Sequence, residues 1–355
     1  MGKFVGNILV TGGCGFIGSH TSLVLLERGY RLIILDSLFN SSEKVINRIL
    51  KLSRIKNHER EAQLVFIKGD LRDEILINNI FENYSNNDKS IMAVIHFAGL
   101  KSVNDSINLP IQYWDFNVKG TINMLKVMDK FKCFKLVFSS SASIYGNRLN
   151  NTLIKESDDI KPINPYGQTK ETIEKILNNL SLIKDSKWNI AILRYFNPIG
   201  AHYSGLLGES YSTVPTNIVP IINKVASGQL KELEIYGNDW ESEDGTAVRD
   251  YIHVMDLAEG HILALEYIFK EEVSLININL GTGKGTSVLK LINTFSNVNK
   301  VKVPYKFTSR RDGDSAFSIA DNSLAKEKLN WEPKRNLVTM CLDSWNWHVK
   351  NTYGI

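Results

Sequence analysis

The stretch Ile8-Leu9-Val10-Thr11-Gly12-Gly13-Cys14-Gly15-Phe16-Ile17-Gly18 decides the fold. A short apolar, β-branched run reads as a buried strand, and it passes directly into glycines at 12, 15 and 18 and then into an amphipathic pattern from Ile17 to Glu27. A glycine triplet alone says little; between a strand and a helix, at the start of an alternating chain, it says a great deal. The glycines allow a tight turn, close approach of the backbone to a pyrophosphate, and close packing of helix on strand. The helix start, at Phe16 and Ile17, offers unpaired N–H groups and a partial positive charge.

Working outward, the next apolar run, Arg31 to Asp36, ends in a carboxylate 18 residues after Gly18. Such a group accepts from both hydroxyls of a ribose and repels a 2′-phosphate, which predicts NAD rather than NADP; Arg31 is the one nearby basic residue in that strand. Further runs follow at Gln63 to Lys68, Ala93 to Phe97, Lys135 to Ser140 and Trp188 to Tyr195, with helical patterns at Leu71 to Tyr84, Gln112 to Lys130 and Tyr166 to Leu182. Six strands alternating with helices predict an α/β chain whose first domain is an NAD-binding Rossmann fold, a doubly wound parallel sheet. After Asn197-Pro198 the rhythm loosens through Gly200 to Thr216, before a helix at Asn217 to Ala226 and a strand at Leu233 to Tyr236. The expected division is a dinucleotide domain over 1–196 and a smaller α/β substrate-binding domain over 197–355, with segments near 248–270 packing back on the first.

Composition bounds the partners. With 355 residues, 43% of them hydrophobic, the chain can bury one large core or two ordinary ones. A net charge of +4 from 42 basic and 38 acidic residues, with lysines scattered, lacks the basic stripe a nucleic acid requires. Cys14, Cys133 and Cys341 are widely spaced and form no CxxC pair, which suits free thiols in a reducing compartment such as the cytoplasm. Met1 to Gly6 does not lead into a signal sequence, and no apolar run approaches the ~18 residues of a membrane span. The seven histidines, among them His58, make no HExxH or His/Cys cluster, so no metal site is expected.

The chemistry is concentrated in two segments. Ser139-Ser140-Ser141-Ala142-Ser143 closes the fifth strand, and Pro165-Tyr166-Gly167-Gln168-Thr169-Lys170 opens the helix that follows. Four residues apart, Tyr166 and Lys170 project from one helical face. Bringing a phenol from near 10 to about 7 requires roughly 4 kcal/mol of preferential phenolate stabilisation. An ammonium ~5 Å away, at an effective dielectric near 20, supplies about 3 kcal/mol, and a cationic nicotinamide the rest. Ser141 is placed to bridge the phenol and a substrate hydroxyl, with Ser139, Ser140 and Ser143 as rivals. Asp70, and Phe97-Ala98-Gly99-Leu100-Lys101, stand at strand ends where ligands bind in such sheets, although Asp70 is equally readable as a helix cap and Gly99 as a loop glycine. His96, inside its strand, reads as a core residue. Downstream, Arg249-Asp250-Tyr251 and Ser309-Arg310-Arg311-Asp312-Gly313-Asp314 set guanidinium groups beside carboxylates, a combination suited to a diphosphate joined to a sugar. Asn197 and Asn217 add amide donors, and Tyr236 is a stacking candidate or a core aromatic.

Together these motifs resemble the UDP-glucose 4-epimerases within the extended short-chain dehydrogenase/reductase family. The resemblance runs over nearly the whole chain, through Val94 to Lys101, Leu193-Arg194-Tyr195-Phe196-Asn197-Pro198, Gly237-Asn238-Asp239 and Val248 to Val254 as well as the segments above. It implies Ser141, Tyr166 and Lys170 as the catalytic set. It implies NAD contacts at the glycine loop, Asp36, Asn40, Ser41, Asp70, Leu71, Phe97, Ala98, Gly99, Lys101, Asn117 and Tyr195 besides Tyr166 and Lys170. It assigns a UDP-hexose to Lys101, Ser141, Tyr166, Phe196, Asn197, Asn217, Ile218, Tyr236, Arg249, Tyr251, Arg311, Asp314 and Ser318, and it implies a homodimer packed through Gln112 to Lys130 and Tyr166 to Leu182. Four residues beyond Asp314 the family carries either a tyrosine or a small residue; Ser318 is small, which leads to the expectation that N-acetylhexosamine nucleotides are accepted too. A nucleotide-sugar 4,6-dehydratase shares the fold but needs an added acid and base, usually Asp-Glu after the catalytic hydroxyl, where this chain has Ala142-Ser143. A uronic-acid nucleotide epimerase is another alternative. A non-catalytic NAD-binding regulator has no need of Tyr166, Lys170 and Ser141 together.

Overall fold

The computed structural model describes residues 6–53, 63–85, 90–147, 152–210, 215–311, 313–352 and 354; His58, Asp312 and residues 211–214 of the Gly/Ser/Tyr-rich stretch lie outside them. The central sheet has seven strands: β1 (Asn7–Thr11), β2 (Arg31–Asp36), β3 (Leu64–Lys68), β4 (Ile91–His96), β5 (Lys135–Ser141), β6 (Asn189–Tyr195) and β10 (Leu275–Leu280), in the order β10-β6-β5-β4-β1-β2-β3. β1 pairs in parallel with β2 and β4, β2 with β3, and β4 with β5. The order reverses at β1, so the loops after β1 and β4 leave the sheet side by side, the crevice in which such sheets bind ligands. Every residue of β1 is buried, as expected of a strand covered on both faces.

Contacts group the chain into two compact units: Met1–Ser140 with Asn164–Leu193 and Ala258–Asn277, and Ser141–Ile163 with Arg194–Leu257 and Ile278–Ile355. The first unit's core joins Leu9, Ile33 and Val94 of the sheet to Ile77, Met128, Ile173 and Leu177 of its helices. In the second, β7 (Asn197–Ile199), β9 (Val248–His253), β11 (Gly285–Ser287) and β13 (Phe317–Ser318) form one sheet, and β8 (Leu233–Tyr236) pairs in parallel with β12 (Tyr305–Thr308). Its core gathers Ile222, Ile235, Tyr251, Leu291, Phe295 and Met340.

Three local readings change. The helix expected from Leu71 begins at Glu74, because Asp73 caps it by accepting from the Leu76 N–H at 3.0 Å while Asp70 pairs with Arg72. The helix expected to run unbroken from Gln112 to Lys130 is three pieces: Pro110–Tyr113, a π-helical turn Trp114–Lys119, and Gly120–Lys130. The wider turn carries Asn117, whose buried amide accepts from the Leu100 N–H and donates to the Leu100 carbonyl, bonds that compensate the altered ladder. Asn197–Ile199, where no strand is expected, is a short strand paired with β9. The helices Ser323–Leu329 and Leu337–Lys350 were not anticipated. Among the described residues no helix is long and apolar enough to cross a membrane, and no group of three His, Cys, Asp or Glu side chains is placed to hold a metal ion.

Candidate active site

In the first unit the glycine turn is closed by its neighbours. Gly12 has φ +69°, and a Cβ there would lie 2.7 Å from the Ala98 nitrogen; a Cβ on Gly18 would lie 2.2 Å from the Gly12 oxygen. Only bare backbone fits, so the turn after β1 and the loop after β4 touch main chain to main chain. The helix Phe16–Glu27 starts at Gly15 with no side-chain cap and no acidic residue in its first turn, which leaves its N-terminal N–H groups for an anion. Asp36 at the end of β2 accepts from the Cys14 N–H, the Leu38 N–H and the Ser41 hydroxyl, each at 2.9 Å. A carboxylate has about four acceptor positions. Three are therefore taken by the protein, and about one is left for a ligand hydroxyl. Burial and the charge of Asp36 push the Cys14 thiol well above its ordinary range, so it is inert.

Beyond β2 and β3 lies an open pocket of about 440 Å³ lined by Ser37, Phe39, Lys68, Gly69 and Asp70. Asp70 is gripped by Arg72 through Nε at 3.0 Å and Nη2 at 2.8 Å, which holds its carboxyl below the usual range. It is an ion-pair partner rather than the helix cap. Leu71 is buried and Asn40 exposed. After β4, Phe97 donates its N–H to the Thr11 carbonyl at 3.0 Å, Gly99 lies against the Asn117 amide, and Lys101 is exposed. Asn117 also donates to the Thr169 hydroxyl at 3.1 Å. One amide thus ties the β4 loop to the helix that carries Tyr166 and Lys170.

That helix, Pro165–Ser181, is fixed by Pro165 in its first turn and by Asn164, which accepts from the Gly167 N–H at 2.9 Å. Tyr166 packs with Leu100, Tyr113 and Phe116. Lys170 is 4% exposed; its Nζ donates to the Ser139 carbonyl at 2.9 Å and lies 4.8 Å from the Phe138 ring centre and 5.9 Å from that of Tyr166. Burial lowers its pKa to about 8, opposed by the charge of Glu174 one turn on. Glu174 is itself buried and accepts from the Ser140 hydroxyl at 2.5 Å. His96 lies between the Thr11 and Thr121 hydroxyls at 2.6 and 2.8 Å, and burial drops its pKa to about 3; it is a neutral core residue, not a base.

Among the rival serines, Ser139 and Ser140 are buried and committed to His261 and Glu174, and the Ser143 hydroxyl is buried. Ser141 is half-buried and accepts from the Ser143 N–H at 3.2 Å, which caps the 3₁₀ turn Ala142–Tyr145 and leaves its own O–H free to donate.

In the second unit, Asp314 lies between two arginines, 3.7 Å from Arg249 Nη2 and 3.4 Å from Arg311 Nε, and the Arg311 guanidinium stacks 4.0 Å over the Tyr236 ring. Arg249 is further fixed by donating to the Val248 and Ser315 carbonyls. Two guanidiniums against one carboxylate leave a net positive site. Ser318 stands opposite Arg249 in the parallel β13–β9 register, and Asn197 opposite Tyr251 in β7–β9. Tyr251 is buried, its phenol pushed up to about 12 by burial. Phe196 is buried and Tyr195 half-buried. Asn217 is exposed, donates to Glu209 at 2.7 Å, and precedes Ile218 at the start of the helix Ile218–Ala226.

Several partners were not anticipated. Asp250 accepts from the Thr282 N–H and hydroxyl and from the Gly283 and Ala320 N–H groups, so this buried carboxylate fixes the β9 segment carrying Arg249. Glu174 had a signal, lying at i+4 from Lys170, whereas nothing in spacing joins Arg72 to Asp115, 43 residues on, or to Phe116 beside it.

A family model described as GDP-mannose 4,6 dehydratase matches residues 9–343. UDP-glucose 4-epimerase of Bacillus subtilis (strain 168) is 45% identical over 347 residues, 98% of this chain and 98% of that protein. Among solved structures, a UDP-glucose 4-epimerase from Stenotrophomonas maltophila with bound NAD and formylated UDP-arabinopyranose superposes with a TM-score of 0.91 at 42% identity, covering 97% of this chain and 98% of its own. The Bifidobacterium longum UDP-glucose 4-epimerase, in complex with NAD+ and UDP, gives 0.90 at 42% identity over 98% and 100%. On near-full-length identity at this level, the chain belongs to the UDP-glucose 4-epimerases of the extended short-chain dehydrogenase/reductase family.

Proposed function

We propose that the chain is an NAD-dependent isomerase that interconverts UDP-galactose and UDP-glucose through a 4-keto sugar. The observation that carries this reading is its 45% identity, from end to end, to an epimerase of that name. The residues fit the cofactor: the glycine turn admits only bare backbone where a pyrophosphate would lie, and Asp36 keeps an acceptor at the end of β2. Bound NAD supplies a reversible hydride acceptor for C4 of the sugar.

The chain's own residues manage the proton and the orientation. Tyr166, as phenolate, takes the proton from the 4-hydroxyl and returns it after the keto sugar has turned about its diphosphate linkage. Lys170, buried and anchored on the Ser139 carbonyl, holds a positive charge near the phenol and stabilises its ionised form. Ser141 donates its free O–H toward the reacting oxygen. Arg249 and Arg311 hold the diphosphate, and Tyr236, already capped by Arg311, braces the nucleotide end. Affinity concentrated on the nucleotide leaves the hexose free to rotate. The family also spans 4,6-dehydratases, but Ala142-Ser143 supplies neither the acid nor the base that loss of water needs.

Ser318, half-buried opposite Arg249 in the β13–β9 register, is small where a tyrosine would fill the site, which supports UDP-GalNAc as a further substrate. The exposed apolar side chains Ile107, Leu109, Ile111 and Trp114, on the helices before and through the π turn, support a homodimer. Three buried free thiols support a cytoplasmic site of action.

The test is to incubate the purified protein, without added NAD, with UDP-galactose and separately with UDP-GalNAc, and to follow the 4-epimers by NMR. Conversion of both is expected. Conversion of UDP-galactose alone confines the enzyme to hexoses, and conversion of neither, even with NAD supplied, overturns the substrate assignment.

A further inference from the structure

Phe39 is an exposed aromatic whose position is nonetheless fixed. It is 58% exposed and lines the open pocket beyond β2 and β3. Its ring packs on Phe116 at a centroid distance of 5.4 Å and a tilt of 60°. Phe116 is in turn covered by Arg72, whose guanidinium carbon lies 3.6 Å from the ring centre. Arg72 has little freedom, since Asp70 holds it through two nitrogens and Asp115 through the third at 2.7 Å. The backbone approaching Phe39 is also constrained: Leu38 adopts φ +59°, a left-handed conformation costly for leucine, and its N–H is held by Asp36. Two carboxylates, a guanidinium and two aromatic rings thus form a chain of contacts that ends in one ring face at a pocket.

We propose that Phe39, backed by Phe116 and Arg72, is the stacking wall for the adenine ring of the dinucleotide, and that this bracket sets how slowly the cofactor leaves. The inference rests on the reading that the chain binds NAD. The pocket stands at the strand ends on the side of Asp36, where the adenosine half of a dinucleotide belongs in a doubly wound sheet. An immobilised aromatic loses little further freedom when a planar base stacks on it, so most of the stacking energy appears as affinity. An exposed, fixed phenylalanine also covers one face of the base from water.

The experiment uses the protein as purified. Release of resident NAD is followed by chromatography of samples taken during a chase with excess ADP-ribose, for wild type, Phe39→Ala, Phe39→Leu, Phe39→Trp and Phe116→Ala. Release is expected to be about tenfold faster in Phe39→Ala and in Phe39→Leu, as for loss of one aromatic–base stack, and to return to the wild-type rate or slower in Phe39→Trp. Phe116→Ala is expected to fall between wild type and Phe39→Ala. Equal release from wild type and both alanine variants overturns the inference while leaving the NAD reading intact, as does a Phe39→Leu variant that behaves like wild type. A wild-type protein that holds no NAD and takes up none overturns the NAD reading itself, and the inference with it.

Discussion

At the scale of single residues, the account depends on a phenol and an ammonium held in place by partners of their own. Under the proposed mechanism, replacing Tyr166 by Phe removes the proton acceptor while the ring keeps its packing on Leu100, Tyr113 and Phe116. UDP-galactose turnover should fall by about 10³-fold, within the range for loss of a general base, while resident NAD is retained; NMR turnover and NAD content after denaturation check both. Lys170 carries a pH signature. Its folded pKa of about 8 lies below the ordinary value of 10.5, so between those values the unfolded chain binds more protons and stability rises with pH. Urea unfolding of the nucleotide-free protein should show wild type gaining about 3 kcal/mol on Lys170→Met between pH 7 and pH 10.5; no gain would mean that Lys170 is not desolvated. The Tyr166/Lys170 pair was legible because both ends of it sit four apart in one helix. The Ser139 carbonyl that anchors Lys170, and the Ser140 hydroxyl that anchors Glu174 one turn on, arrive only when β5 lies beside that helix, which no local pattern states.

At the scale of elements, the β1 turn and the start of its helix were legible because each depends on local backbone chemistry. The same chemistry makes Gly18 irreplaceable. Gly18→Ala would drive a Cβ to 2.2 Å from the Gly12 oxygen, so the turn must open; loss of resident NAD, seen as absent absorbance from bound nucleotide after purification, is the expected result. An alanine variant purified with a full complement of NAD would show that the turn is not the pyrophosphate cradle. Where the reading of elements went astray, a polar side chain had altered the helix. Asp73 caps one helix so that it begins at Glu74 rather than Leu71, and Asn117 turns inward through a π turn where the apolar pattern ran straight on. The helix Leu337–Lys350 buries Met340 and Cys341 in the second unit's core, beside residues as distant in sequence as Ile199 and Val219.

At the scale of the whole molecule, the first unit is held together by contacts between distant segments, such as Arg28 with Glu266 at 2.7 Å and the Asn189 amide with the carbonyls of Ile268 and Glu271. Such pairings have no sequence signature. The exposed apolar side chains Ile107, Leu109, Ile111 and Trp114, on which the proposed homodimer rests, predict that Ile111→Glu shifts the protein from dimer to monomer in size-exclusion chromatography with light scattering, with NAD content unchanged. A wild-type monomer would remove the homodimer from the account. The central claim is that C4 of the sugar loses and regains the same hydrogen while the proton of its hydroxyl passes through Tyr166. The most direct measurement is to incubate UDP-[4-²H]galactose with the protein in ordinary water, without added NAD, and to examine the product by NMR and mass spectrometry. The account predicts UDP-glucose that retains deuterium at C4; product carrying ordinary hydrogen there would contradict it.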